Sequence, residues 1–292
     1  MASVGSGVVG SSVERQASTT LNITSLQDLT IIEAWGSDAE SSKYVTFYHV
    51  TSTGELYFGE SSKQKMSISL NEYRSALQRV SDDEIYPKIP EGTRLTVAPE
   101  ALDDTLAYFK RTGLVHYESM RGTGFVPKAL LDEVLVMEQI SKASHPNIVG
   151  YYGCRVNRGR ITAIVLERLG QTLEQYAAER PSLDLDIDRF FKDLKSAVDC
   201  LHSMGLAHND INPRNIMVKN GSPVVIDFDS CQPVGARLQS LGTTGWYEEE
   251  FYTSEKKHDT YSLGKLQEWL QAQKRKGTEE IDKKEVQEVG RR

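Results

Sequence analysis

The chain has 292 residues and is 39% hydrophobic, enough for one domain with an appendage or for two small domains. No window holds 18 consecutive apolar residues, so no membrane-spanning helix is expected. A formal net charge of −7 argues against a sequence-independent nucleic-acid binder, which needs a basic face.

The first twenty residues, "MASVGSGVVGSSVERQASTT", lack a basic n-region and a long apolar h-region, and their single Arg makes a poor transit peptide. Their Gly, Ser and Val content predicts a disordered tail (1–20), with cytoplasm or nucleus as the expected compartment. Cys154, Cys200 and Cys231 are widely spaced and form no CxxC pair. They are expected as small buried hydrophobes rather than zinc ligands.

Residues 44–58, "YVTFYHVTSTGELYF", are aromatic and β-branched around a Thr-Ser-Thr-Gly break, a hairpin signal. In "SLNEYRSALQRV", Ser69 and Glu72 form a capping box, and helical spacing puts Leu70, Tyr73, Leu77 and Val80 on one face. Residues 21–80 are therefore expected as a small α+β appendage for packing or partner docking.

From 81 to 110, "RLTVA" and "TLAYFK" predict short strands. A helix is expected over 129–140, with Leu130, Val134, Met137 and Leu131 on its stripe. "HPNIVGYYGC" and "RITAIVLERL" predict strands on either side of the turn "RVNRGR". Phe190, Leu194, Ala197, Val198 and Leu201 mark a long helix over 186–204, and 260–272 predicts another. The tail 271–292 is mostly charge and reads as solvated helix or disorder. The order is a strand-rich part with one helix, then a helix-rich part: an α+β protein without internal repeats.

The chemistry concentrates between Gly205 and Cys231, "GLAHNDINPRNIMVKNGSPVVIDFDSC". Asp210, Asn215 and Asp227 have the spacing that phosphoryl transfer to a hydroxyl requires. One carboxylate must orient the hydroxyl and take its proton. An amide oxygen and a second carboxylate must hold Mg²⁺, a hard cation that takes oxygen ligands.

"HNDINPRN" resembles the H-x-D-x-x-x-x-N catalytic loop of the eukaryotic protein kinase family, and "DFD" resembles its D-F-G. The pattern is nearest to fungal kinase-like proteins with "HND-x-N-P-x-N-I-M" and "IDFxSC". The resemblance covers roughly residues 81–270 and implies a two-lobed kinase-like fold: a β-rich small lobe with one helix (81–168) and a mainly helical large lobe (169–270).

The resemblance makes Asp210 the catalytic base, Asn215 and Asp227 the metal ligands, and His208 and Phe228 core residues behind them. "AYFK" resembles V-A-I-K, so Lys110 is the candidate for the phosphates and Glu133, 23 residues on (133 − 110), its helix partner. Lys128 competes, but it lies five residues before Glu133, at the start of the same helix. "IVLERLGQTLEQY" resembles the hinge: Leu166 as gatekeeper, with the backbone of Glu167 and Leu169 reading the adenine edge. "LGTTGWYEEEF" aligns with G-T-P-x-Y/W-x-A-P-E, which implies that Thr243 bonds Asp210. Asp259 resembles the aspartate that opens the central helix beneath the catalytic loop, and an N-cap role fits it equally.

Four departures stand out. No glycine-rich loop precedes Lys110, where only Gly92 is present. Asp229 replaces the D-F-G glycine: it would bind a second ion, repel ATP or face solvent. Asn209 replaces the H-R-D arginine, so control by activation-loop phosphorylation is not expected, and Asn212 stands where the family has lysine, which removes a cation from the transferred phosphoryl group. A-P-E reads Glu248-Glu249-Glu250, and the large lobe is expected to lack its last helices. Leu263, Leu266 and Trp269 on the helix 261–270 would then be exposed until the appendage, the tail or a partner covers them.

The expectation is a Ser/Thr-type protein kinase that uses ATP and Mg²⁺ on a protein substrate, with no nucleic-acid or membrane partner. The alternatives are a pseudokinase, acting as a nucleotide-binding scaffold, and a small-molecule phosphotransferase.

Overall fold

The computed structural model describes residues 21–35, 42–114, 117–180, 183–238 and 241–289. The tail expected over 1–20 lies outside them. The described chain falls into two compact units, one ending at Arg79 and the other holding Ser52–Glu55 and everything from Val80 on.

The first unit is an antiparallel sheet in the order β1-β2-β3-β4: β1 (Thr30–Trp35), β2 (Ser42–Val50), β3 (Leu56–Ser61) and β4 (Gln78–Arg79). Alternation along β2 turns Val45 and Phe47 into a core with Ile23, Leu29, Ile68 and Tyr73. Tyr73 comes from helix α1 (Leu70–Ala76) and meets the Phe47 ring edge-on at 4.7 Å. Ser69 Oγ accepts from the Glu72 backbone N–H at 3.3 Å, and Glu72 Oε2 accepts from Ser69 N–H at 2.8 Å, which closes the capping box. The helix is shorter than its periodicity suggests. Leu77 is already extended, and Gln78 and Arg79 pair with Phe58 and Tyr57, so Leu77 and Val80 leave the helical face. The open edge of β3 offers backbone partners that the apolar repeat does not register.

The second unit opens with α2 (Asp82–Ile85). The stretch 94–98, expected as a strand, makes a single parallel bridge at Val97–Cys154. Cys154 N–H donates to Thr96 O at 2.8 Å and Ala98 N–H to Cys154 O at 3.0 Å. Gly153 permits this approach: a Cβ there would lie 2.5 Å from Thr96 O, and its φ is +124°.

The next elements are β5 (Ala107–Lys110), α3 (Tyr117–Met120), α4 (Phe125–Ile140), β6 (Tyr151–Asn157) and β7 (Arg160–Glu167). The sheet order is β5-β7-β6, antiparallel throughout. Arg158 and Gly159, with φ of 49° and 71°, make the tight β6–β7 turn. Helix α4 buries Leu130, Glu133, Val134 and Met137, while Leu131 is half-buried.

The helix-rich part follows: β8 (Gln171–Thr172), α5 (Leu173–Ala178), α6 (Ile187–Ser203), β9 (Leu206–Ala207), β10 (Ile216–Lys219), β11 (Ser222–Val225), β12 (Gln232–Pro233) and α7 (Lys256–Val289). All five residues of the α6 stripe are buried. The architecture is α+β.

The expected exposed face on 261–270 is not there. Leu263, Leu266 and Leu270 are buried, and Trp269 is half-buried, because α7 packs on α6 and β9 of the same chain. Backbone helix also continues well past 272. Cys154 and Cys231 are buried free thiols, and burial holds the Cys231 thiol well above its ordinary value. Among the described residues no helix is long and apolar enough to cross a membrane.

Candidate active site

Strand β5 ends at Lys110, whose Nζ lies 2.7 Å from Glu133 Oε1 on α4 and 2.5 Å from Asp227 Oδ1. Burial pulls the ammonium's pKa down, but the Glu133 and Asp227 carboxylates outweigh it and hold the group above the ordinary lysine range. Burial also works against charge on Asp227, and there the Lys110 ammonium prevails, keeping the carboxyl below its usual value. Burial pushes Glu133 up, partly offset by Lys110. Lys128, the competing lysine, sits exposed on α4 and pairs with Asp132 one turn on.

Asp227 follows β11 in a left-handed conformation, φ 63°, which Asp tolerates better than most residues. Asp229 is exposed, yet desolvation and the like charge of Asp227 push its carboxyl up. Ser230 Oγ donates to it at 3.2 Å.

The turn 208–215 brings Asp210 into a ring of donors. Its Oδ1 accepts from Thr243 N–H at 2.7 Å and Asn212 Nδ2 at 3.0 Å. Its Oδ2 accepts from Asn215 Nδ2 at 2.9 Å and Thr243 Oγ1 at 3.1 Å. Asn212 Nδ2 also donates to Thr243 Oγ1 at 3.1 Å. Gly242 lets this segment approach, since a Cβ there would meet Asn209 O at 2.8 Å.

Asp259 supports the turn from beneath. It is fully buried, and its carboxylate accepts from the backbone N–H groups of His208 (2.9 Å) and Asn209 (2.7 Å). It also lies 2.8 Å from His202 Nε2. Helix α7 begins at Lys256, so Asp259 is inside its first turn rather than at its N-cap. His208 is buried, with Nε2 3.1 Å from Ile226 O and its ring 5.1 Å from that of Phe228.

Asn209, at φ 63°, donates through Nδ2 to Ala207 O, Ser230 O and Ser254 Oγ at 2.8 to 3.0 Å. Its Oδ1 lies 3.2 Å from His258 Nδ1. Two of these contacts, to Ser230 O and Ser254 Oγ, tie both ends of the 230–254 segment to the turn.

A cavity of about 460 Å³ opens beside Lys110 and Asp227. Tyr108, Leu166, Leu169 and Met217 are among the less polar residues of its lining. Glu167 also lines it: its N–H donates to Gly150 O at 2.8 Å and its carboxylate pairs with Lys219.

A protein kinase domain model matches residues 90–288, about two thirds of the chain. The chain belongs to the protein kinase family. It is 27% identical over 157 residues to the serine/threonine-protein kinase CHK1 of Saccharomyces cerevisiae, covering 53% of this chain and 29% of that protein. It is 32% identical over 113 residues to the serine/threonine-protein kinase/endoribonuclease IRE1 of Hypocrea jecorina (34% and 9%), and 30% over 128 residues to the MAP kinase kinase kinase win1 of Schizosaccharomyces pombe (42% and 9%). The chain spans less than a third of these relatives' lengths.

The kinase fold is two-lobed: β5–β7 with α4 make the small lobe, and the elements from β8 on make the large one. Lys110, Glu133, Leu166, Glu167, Leu169 and Asp227 meet in or beside the cavity, and Asp210, Asn215 and Thr243 meet one another at the turn. Glu248, Glu249 and Glu250 are exposed, and Glu250 accepts from Tyr252 Oη at 3.0 Å. Gly92 sits in a turn of its own, with Thr93 N–H bonded to Pro90 O at 3.1 Å. Several cavity residues escaped the sequence reading, Tyr108 and Met217 among them. Tyr108, two positions before Lys110 on a strand, was legible by alternation. Met217 carried no signal, because its place depends on β10 pairing with β8.

Proposed function

We propose that this kinase domain transfers the γ-phosphoryl group of Mg-ATP to a serine or threonine hydroxyl of a protein. The observation that carries the reading is the ammonium of Lys110, bonded at once to Glu133 and Asp227 at the wall of the cavity. Such a fixed positive charge suits phosphate oxygens.

The residues present fit the nucleotide. The cavity volume lies within the range of small-molecule sites. The apolar residues of its lining suit a flat base, and the backbone of Glu167 and Leu169 would read that base's edge. Asn215, whose Nδ2 is committed to Asp210, keeps its amide oxygen for a cation, with Asp227 as the second ligand. Bound Mg-ATP supplies the transferred group and the metal's charge.

The chain's own work is then orientation and proton transfer. Asp210 positions the acceptor hydroxyl and takes its proton, while Asn212, Asn215 and Thr243 hold the carboxylate in one orientation. A protein acceptor is supported by the relatives' names, which are those of serine/threonine-protein kinases.

The test is transfer of label from γ-labelled ATP to a peptide library and to the protein itself, in wild type and Asp210→Ala. The proposal expects label on Ser or Thr that falls with the substitution. A nucleotide-binding scaffold is favoured by one observation: among the described residues, the stretch 81–110 leading to Lys110 holds only Gly92. Nucleotide binding with no Asp210-dependent transfer would establish that reading. Transfer to a small hydroxylated compound but not to peptides would make the protein a small-molecule phosphotransferase.

A further inference from the structure

We propose that His258 is a positioning residue that holds the turn 208–215 through Asn209, and that it does so only while its imidazole is neutral, so that the turn loosens in acid. The consequence for turnover rests on the phosphoryl-transfer reading; the hold on the turn does not.

Asn209 stands next to Asp210, with its backbone in the left-handed region at φ 63°. Asn adopts that region more readily than most residues, and its side-chain bonds fix it there. Nδ2 donates to Ala207 O, Ser230 O and Ser254 Oγ. The atom left to face His258 is therefore Oδ1, an acceptor, 3.2 Å from Nδ1. Nδ1 must then carry the hydrogen, and Nε2 is the bare nitrogen of the neutral ring. Among the described residues, Nε2 is buried and has no hydrogen-bond partner. A proton added there would make a buried N–H with nothing to accept it.

The ring cannot turn to water without disturbing its surroundings. It is 8% exposed and stacks on the Phe251 ring at 3.7 Å and 22°. Phe251 in turn adjoins Gly242, where a Cβ would lie 3.6 Å from Phe251 Cζ and 3.5 Å from Asp210 Oδ1. Displacing His258 thus reaches the turn from two sides: through Asn209, and through the segment whose Thr243 N–H donates to Asp210. The charged groups around the imidazole are Glu255, Lys257 and Asp259 near the start of α7 and Glu249 from the preceding segment; from the turn it meets the neutral Asn209. Asp259 is shared with His202 of α6 and with the backbone of His208 and Asn209. Burial outweighs these carboxylates and holds the imidazole below its ordinary value, so the open turn takes the proton before the closed one.

The experiment is hydrogen exchange of the full chain, read at the backbone amides of residues 208–210 as protection relative to unstructured peptide, at pH 7.5 and 5.5. It compares wild type, His258→Asn and His258→Ala. Asn sets an amide N–H near the place of Nδ1 and does not titrate. Protection should fall about tenfold between the two pH values in wild type, the factor for one proton taken up by an open-state imidazole of ordinary pKa. It should stay level in His258→Asn and be low at both pH values in His258→Ala. In peptide phosphorylation, turnover at pH 5.5 relative to 7.5 should be lower in wild type than in His258→Asn, with KM for ATP alike in the two. Constant protection in wild type, or the same fall in His258→Asn, would overturn the inference. The expected fall in protection with no transfer at either pH would uphold the hold on the turn and overturn the functional reading.

Discussion

The two sides of the cleft are held in opposite ways. At the turn 208–215, Asp210 accepts four hydrogen bonds, Asn209 makes four contacts and the buried Asp259 serves three partners. At the cavity wall, β5 is an edge strand whose polar anchor is one ammonium between two carboxylates, beside an unengaged aromatic ring. The lower side is pre-arranged, so its groups need little reorganisation to act. The upper side has its polar groups paired among themselves and leaves mainly apolar surface for a ligand. On the function proposed above, orientation of the acceptor and capture of the nucleotide are expected to be separable in this domain.

Substitutions can break that separation. The largest effect is expected from Asp210→Ala, which should lower turnover by roughly 10²–10⁴-fold while nucleotide affinity stays near wild type. Steady-state kinetics beside calorimetry would check it, and a parallel loss of affinity would merge the two functions. Lys110→Met should do the reverse. It leaves Glu133 and Asp227 without their cation, so nucleotide binding should weaken without being abolished, with a loss of roughly 3 kcal/mol in stability by urea titration. Asn209→Ala removes the donor to Ala207, Ser230 and Ser254. It should cost about 1–3 kcal/mol and lower turnover without changing nucleotide affinity.

The smallest effect concerns pH. Burial holds the His258 imidazole below its ordinary value of 6.5. The unfolded chain therefore takes the proton first, and the contribution present above pH 6.5 is lost as pH falls through the folded value. Melting temperature should drop between pH 7 and 5 and drop less in His258→Gln. Identical slopes would mean that His258 does not contribute.

Local signals were the legible ones. The Ser69–Glu72 box, the α6 stripe and the hairpin around 51–55 depend on neighbours a few residues away, and each appears in the structure. Strand character at 94–98 was misjudged because a strand needs a partner along its length, and Cys154 offers only one bridge. Burial of Leu263 and Leu266 was unreadable because the covering surface, α6, lies some sixty residues earlier. The same holds at the site. Asp210, Asn215 and Asp227 could be picked out by spacing, whereas the partners of Asn209 come from 230, 254 and 258, too far along the chain for any short pattern.

The central claim is that Asn215 and Asp227 hold a cation with the nucleotide while Asp210 stands apart from that task. Calorimetric titration with ADP, with and without Mg²⁺, tests it in wild type, Asn215→Ala, Asp227→Asn and Asp210→Ala. Magnesium should tighten binding in wild type and Asp210→Ala, and that gain should vanish in the other two. A magnesium gain that survives Asp227→Asn, or that disappears only with Asp210→Ala, would contradict the account.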